Sequence, residues 1–331
     1  MNIKILQGNC IETLQKLDDK SINTCITSPP YWGLRNYNDE EKQLGMEETP
    51  EEFVDNLVKV FREVKRVLRD DGTVWLNLGD SYSSGGRTTT TNQSLRGDKD
   101  YGVTRPKPSK GIKPKDLIGI PWRVALALQQ DGWYLRQDII WHKPNPMPES
   151  VKDRCTKAHE YIFLLSKNVK YYFDNEAIKE DAKFPKGPNS AHKIRKGCDD
   201  PKMKTRTGLH KIGANPKRNK RSVWTITTKP FKGAHFATFP KDLIEPCVLA
   251  GCPEKICVDC GKPYERVMQK PKQLEVKRGR RAGTDDRLIG GVLDKYTREN
   301  PPIDLGLQKQ CDCETNETKA GTVLDPFGGS G

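Results

Sequence analysis

The sequence predicts an α/β fold with a three-layer core, because apolar runs of strand length alternate along it with helical patterns. The apolar runs fall at 22–27, 73–78, 134–141, 161–165 and 322–324, and the helical patterns at 49–68, 120–130 and 241–250. Strands separated by helices favour crossover connections and a sheet covered by helices.

The elements follow in order. Ile3 and Ile5 mark residues 3–7 as a first strand. Gly8-Asn9-Cys10 then turns into a short helix near Ile11 to Leu17. The apolar stretch Ile22 to Ile26 runs straight into Ser28-Pro29-Pro30-Tyr31. Thr49 opens the strongest helix: Pro50 suits the first helical position, and Glu52 completes a capping box. Phe53, Leu57, Phe61, Val64 and Leu68 recur at helical spacing, and Gly72 ends the run. Thr73 to Leu78 is a strand that ends in Gly79-Asp80-Ser81. A helix from Ile120 to Gln130 has Pro121 near its start, and strands at Tyr134 to Trp141 and Tyr161 to Leu165 follow. A helix from about Lys241 to Ala250 comes next, and Thr322 to Leu324 is a short buried-type strand before the glycine-rich turn Asp325 to Gly331.

Composition narrows the function. The 331 residues suffice for one large domain or two small ones. Apolar residues make up 34%, and the mean hydropathy of −0.78 fits a core with long polar loops. No apolar run approaches the roughly 20 residues that span a bilayer, and the N-terminus lacks a signal-peptide pattern. A cytoplasmic protein with no membrane partner is expected. The net charge of +13 suggests a polyanionic partner, most simply nucleic acid. Residues 181–222 hold thirteen Lys/Arg against three Asp/Glu and favour contact with a phosphate backbone over a solvated linker. Residues 82–115, rich in Gly, Ser, Thr and Lys, suit either role.

Ten cysteines in a chain of this kind argue against a disulfide framework. Six are scattered, and four are grouped as Cys257-Val-Asp-Cys260 and Cys311-Asp-Cys313. Four thiolates can hold a structural zinc, with Cys252 as a possible substitute; free cysteines are the alternative.

The segment Ser28 to Tyr31 carries the most chemistry. Two prolines stiffen the loop and remove two backbone donors, leaving carbonyls free to accept. An aromatic beside that row of acceptors can stack on a flipped-out nucleobase that presents an exocyclic amine. The glycine-rich turn at the far end of the chain lets backbone approach a nucleotide-like cofactor closely. Together, Ser28-Pro29-Pro30-Tyr31 and Asp325-Pro326-Phe327-Gly328-Gly329-Ser330-Gly331 resemble the paired motifs of the amino-methylating DNA methyltransferases, in the motif order of the permuted beta group. The resemblance covers most of the chain.

That resemblance implies a circularly permuted, Rossmann-like, S-adenosylmethionine-dependent methyltransferase fold acting on double-stranded DNA. Residues 1–141 would form the N-terminal part of the core and 142–235 the target-recognition region, with 181–222 as its basic arm. Residues 236–331 would form the cofactor-binding part, with a cysteine-rich insertion at 252–313. Ser28, Pro29, Pro30 and Tyr31 would be catalytic: the Ser28 hydroxyl and Pro29 carbonyl accept from the amine, and Tyr31 stacks on the base. Asp325, Pro326, Phe327, Gly328, Gly329 and Gly331 would cradle the cofactor, Thr238, Phe239 and Pro240 would line its methionine side, and Asn9 would lie near its adenine. Asn9 departs from the family's usual acid. Serine at the head of the amine motif favours cytosine N4; adenine N6 is the alternative. A restriction-modification role would add a cognate restriction enzyme as partner.

Other classes compete. Cytosine-C5 methylation needs a Pro-Cys nucleophile, and Pro246-Cys247 is present, though inside a helical pattern. Methylation of protein glutamine favours an Asn-headed motif and suits this basic chain less well. A catalytically inactive basic DNA-binding fragment is the non-enzyme alternative. The family pattern continues beyond the cofactor loop with a helix and a ribose-binding acid. The chain ending at Gly331 is therefore expected to be cut off within that motif and to transfer little methyl group by itself.

Overall fold

The computed structural model describes residues 3–33, 43–83, 112–182, 217–229, 239–269 and 302–328. In chain order the first elements are α1 (Cys10–Leu14), β1 (Ile22–Thr27), α2 (Pro50–Val67), β2 (Leu68–Leu78), α3 (Ile120–Gln130), β3 (Tyr134–His142) and β4 (His159–Ser166). Next come β5 (Glu180–Asp181), β6 (Lys217–Arg218), β7 (Val223–Thr225), α4 (Lys241–Gly251) and β8 (Ile256–Cys257). Last are β9 (Glu265–Gln269), β10 (Ile303–Gln308), β11 (Thr318–Lys319) and β12 (Val323–Leu324).

Two compact units form. The first comprises Met1–Phe173, Arg221–Glu254 and Ala320–Gly331; the second comprises Asp174–Lys220 and Lys255–Lys319. The first unit is built on a six-stranded sheet in the order β12-β1-β2-β4-β3-β7. β12, β1 and β2 run parallel, β4 is antiparallel to both β2 and β3, and β3 runs parallel to β7. The carboxyl ends of β12, β1, β2, β3 and β7 therefore share one edge with the start of β4.

Side-chain alternation explains the three layers. Val74, Leu76 and Leu78 of β2 join a core with α1, α2 and α3, in which Phe53, Leu57, Phe61, Val64, Val124 and Leu128 are fully buried. Each such side chain contributes on the order of 1.5–3 kcal/mol. Thr73 and Trp75 point the opposite way, toward α4, where Gly251 packs so close that a Cβ would lie 2.5 Å from Trp75 Nε1. α2 starts as its sequence requires: Thr49 Oγ1 accepts from the Glu52 amide at 3.2 Å, with Pro50 in the first turn. α3 lacks a local cap, and the carboxylate of Asp80 supplies one from the end of β2, accepting from the Gly119 and Ile120 amides at 3.0 and 3.2 Å.

Three expectations change. Residues 3–7 do not form a strand; Ile3 and Ile5 are 82% and 71% exposed. A strand needs a neighbour to satisfy its backbone groups, and no described strand pairs with this segment. The first helix stops at Leu14, short of Leu17. α2 ends at Val67, and Gly72 is not its stop: β2 already begins at Leu68. Gly72 lies where the β1–β2 register jumps from Ile22↔Leu68 to Thr24↔Thr73. A Cβ there would stand 3.1 Å from the Asn23 carbonyl oxygen, so the glycine permits a close backbone approach.

Among the described residues, the second unit holds three two-stranded sheets, β10-β9, β11-β8 and β5-β6. Arg266 of β9 donates to both Asp174 and Asp304, tying together segments distant in sequence. Among the described residues, no helix is long and apolar enough to cross a membrane.

Candidate active site

The first unit concentrates its polar groups at the shared carboxyl edge of the sheet, the usual ligand position in open α/β sheets. β1 delivers Ser28, Pro29, Pro30 and Tyr31 there; Pro29 is buried and the other three are half-buried. The loop is clamped from behind. The Gly33 amide donates to the Gly45 carbonyl at 2.7 Å, and the Trp32 indole donates to the Glu47 carbonyl at 3.0 Å. The Glu47 carboxylate is held in turn by the Gly45 amide and the Asn56 side chain.

Tyr31 is half-buried as a residue, while its hydroxyl reaches deep into the edge. The hydroxyl donates to Glu160 Oε2 at 2.9 Å and lies 3.4 Å from Asn77 Oδ1. The Ser28 side chain and the Gly79 amide also reach it. Burial, and next the charge of Glu160, push this phenol well above its ordinary range, so it stays a neutral donor. Glu160 further accepts from Asn77 Nδ2 at 3.4 Å and forms an ion pair with Lys143, whose ammonium sits 4.1 Å above the Trp141 ring. This arrangement fixes the plane of the Tyr31 ring.

Gly79 completes that arrangement. A Cβ at this position would fall 2.4 Å from Tyr31 Cε2. Gly79→Ala should therefore swing the ring out of plane, lowering activity by about tenfold or more while shifting stability by only ~1 kcal/mol. Turnover assays beside thermal melts test this; equal activity would show that the ring plane is unimportant.

Beside Tyr31 lies a cavity of about 290 Å³. Gly79, Asp80, Lys143, Met147, Lys157 and Glu160 contribute to its walls. Lys157 donates to the Asp80 carbonyl at 3.0 Å, and burial lowers its pKa from the ordinary lysine value. His159 is likewise shifted down, chiefly by burial and then by the charge of Lys157. The volume and flat aromatic wall suit one planar ring with polar edges.

The turn after β12 lies next to the Ser28 loop, because β12 pairs with β1 through Thr24↔Val323 and Cys25↔Leu324. The Thr27 hydroxyl donates to Asp325, which also accepts from the Phe327 amide at 3.0 Å. Phe327 packs half-buried against the core, and Gly328 is exposed, the Asp325 carbonyl oxygen lying 3.9 Å from where a Cβ would stand. Pro240 is buried as the N-cap of α4, with Phe239 half-buried before it. Thr238, Gly329 and Gly331 lie outside the described residues. Asn9 caps α1, its side chain accepting from the Ile11 and Glu12 amides.

Cys247 is 1% exposed inside α4, and its thiol contacts the Leu243 carbonyl. A nucleophile for carbon-5 chemistry needs access that this thiol lacks.

In the second unit, Cys257, Cys260, Cys311 and Cys313 bring their sulfurs within 4.8 Å of one another. The Cys260 amide chiefly holds the Cys257 thiol down to about 7, whereas the Cys260 side chain chiefly pushes Cys313 up to about 12. Lys309 folds the second pair by donating to the carbonyls of Cys313 and Thr315. Cys252 is not among the four; it packs against Gly321 in the first unit, and burial raises its thiol to about 11.

The structure thus joins the Ser28 and Asp325 loops and adds residues that the sequence did not single out: Asn77, Asp80, Lys143, Lys157, His159 and Glu160. One signal was available. Like the Ser28 loop, Lys143-Pro144-Asn145-Pro146-Met147-Pro148 is a proline-rich run that directly follows an apolar strand.

Comparison with known proteins supplies the family. A family model described as a DNA methylase, N6/N4 type, matches residues 22–260. The type II methyltransferase M.SmaI of Serratia marcescens is 49% identical over 251 residues, covering 75% of each chain. The type II methyltransferase M.Cfr9I of Citrobacter freundii is 41% identical over 300 residues, covering 86% of this chain and 89% of its own. Among solved structures, the PvuII DNA methyltransferase (cytosine-N4-specific) aligns at a TM-score of 0.47 and 18% identity, over 75% of this chain and 70% of that one.

Proposed function

The chain belongs to the N6/N4 DNA methylase family, and on that premise we propose that it transfers a methyl group from S-adenosylmethionine to the exocyclic amine of cytosine in duplex DNA. The observation that carries this reading is the junction of the two loops through the Thr27–Asp325 hydrogen bond at the carboxyl edge. It sets an amine-accepting loop beside a glycine-rich turn, as the transfer requires.

The residues have separable tasks. Tyr31 stacks on the flipped base within the cavity. An exocyclic amine is a poor nucleophile, because its lone pair is delocalised into the ring. The Ser28 hydroxyl and Pro29 carbonyl accept from its two N–H bonds and favour a pyramidal nitrogen. Most of the catalysis is positioning and local electrostatics. When bound, S-adenosylmethionine supplies the electrophilic methyl. Asp325, Pro326, Phe327 and Gly328 would hold it, with Gly329 and Gly331, while Phe239 and Pro240, with Thr238, would line the methionine side and Asn9 would lie near the adenine. The exposed backbone at Gly328 and the fixed Asp325 carboxylate suit such a ligand. The amine loop preceding the cofactor loop supports the permuted order of the beta group.

Serine at position 28 is a neutral acceptor, which favours cytosine N4 over adenine N6. Labelled S-adenosylmethionine and mixed-sequence DNA decide this, using the chain with any residues its gene encodes after Gly331. Label on cytosine N4 is expected. Label on adenine N6 would overturn the base preference, and label solely on cytosine C5 or on protein would overturn the amine reading.

Similarity to type II methyltransferases supports a restriction-modification role with a cognate endonuclease. DNA from expressing cells should resist cleavage at the methylated site. Target recognition falls to 142–235, by its segments outside the sheet. Lys217 and Arg218 in β6 belong to its basic arm, while 183–216 lie outside the described residues.

The four clustered cysteines suit one structural zinc. Tetrahedral Zn–S bonds of ~2.3 Å set the sulfurs ~3.8 Å apart, within the spread observed. Metal analysis should return about one zinc per chain. Cys257→Ser combined with Cys260→Ser should abolish it; zinc retained in that variant would refute the site.

A further inference from the structure

The loop between β3 and β4 carries a feature that the transfer chemistry leaves unused. Met147 is 84% exposed, more than any other large apolar side chain among the described residues, and it lines the cavity that receives the base. Single exposed apolar residues are ordinary. This one differs in being held rigidly at a functional opening. Pro146 and Pro148 on either side restrict the backbone and donate no amide.

Both roots of the loop are tied down. Asn145 Nδ2 donates to Thr228 Oγ1 at 2.9 Å, and the Thr228 amide returns a bond to Asn145 Oδ1 at 3.1 Å. The Lys143 amide donates to the Ala158 carbonyl at 2.8 Å. Glu149 forms an ion pair with Arg154 and accepts from the Lys157 amide at 3.4 Å. A loop braced in this way projects its apolar tip without collapsing over the cavity. Lys143 and Lys157 line the same opening, each already engaged there, with Glu160 and with the Asp80 carbonyl.

A base taken out of a duplex leaves a gap lined by the flat, apolar faces of its neighbours, and unstacking is unfavourable. Methionine is unbranched and polarizable and can slide between base pairs. We propose that Met147 is the wedge that enters the duplex at the position vacated by the target base and holds that base in the cavity. The proposal rests on the DNA-methylating reading above.

The test compares two substrates and two variants of the whole protein. One duplex carries the target base paired normally, and the other carries it opposite an abasic site, where little unpairing is needed. Met147→Ala should methylate the paired duplex about tenfold more slowly than the parent. Its loss should be several-fold smaller on the abasic duplex, because the barrier that the wedge lowers is already absent. Met147→Leu, which keeps an apolar wedge, should retain most activity on both. Parental rates for Met147→Ala on the paired duplex would overturn the proposal. An equal loss on both substrates would do the same, by pointing to general DNA contact. If the parent methylates neither duplex, the underlying reading fails and the wedge falls with it.

Discussion

Alanine in place of Ser28 should lower the rate of methyl transfer by about 10²-fold, with cofactor affinity and thermal stability nearly unchanged. Ser28 stands where β1 ends, and its side chain reaches the Tyr31 hydroxyl. It is half-buried, so its loss opens little core. The amine then keeps the Pro29 carbonyl as acceptor and loses the second one. Because the missing interaction strengthens as the nitrogen becomes pyramidal, the effect belongs in kcat more than in KM. A rise in KM alone would show that Ser28 merely binds DNA. Tyr31→Ala should be at least as damaging, since it removes the stacking surface. Tyr31→Phe keeps the ring and loses only the bonds to Glu160 and its neighbours, so it should fall between parent and alanine. The Tyr31 phenol is held well above its usual value of 10.0 by burial and by Glu160. It therefore remains protonated through the assay range, and Tyr31→Phe should leave the shape of the pH–rate profile unchanged up to about pH 10. An alkaline limb that vanishes in the phenylalanine variant would contradict this assignment.

Asp325→Ala should weaken S-adenosylmethionine binding by roughly tenfold to a hundredfold, the range expected when a charged hydrogen-bonding group is lost. The Asp325 carboxylate accepts from the Thr27 hydroxyl and from the Phe327 amide, so it both fastens the cofactor turn to β1 and shapes it. Two contributions are therefore mixed in the alanine variant, and Thr27→Val separates them. Thr27 is 1% exposed, and the valine replaces its hydroxyl with a methyl of similar size. If fastening dominates, Thr27→Val should reproduce most of the loss, and the double variant should be little worse than either single one. If Asp325 chiefly contacts the cofactor, Thr27→Val should have a small effect. Isothermal calorimetry, with any residues that the gene encodes after Gly331 included, reads both. Unchanged affinity in Asp325→Ala would remove this residue from the cofactor site.

Local features were legible in the residues alone. β1 at 22–27 and α3 at 120–130 were legible from apolar runs and a helix-starting proline, and α2 from its Thr49 cap and periodic core face. The two loops that resemble the family's paired motifs were legible because prolines and glycines state their backbone demands within a few residues. Locality also explains the errors. Residues 3–7 have strand composition and no pairing partner among the described strands, and Gly72 answers to a close neighbour in β1 rather than to the end of a helix.

Which distant residues meet depends on how the strands pack. Thr27 and Asp325 are 298 residues apart and share a hydrogen bond because β12 pairs parallel to β1. Glu160 reaches Tyr31 across 129 residues because β4 runs against β2 and begins at the edge where the parallel strands end. The two cysteine pairs converge across a separation of about fifty residues that spacing alone left open. A period of two or of 3.6 residues tells a segment which face to bury. It says nothing of strand order or direction, and those set which residues surround Tyr31.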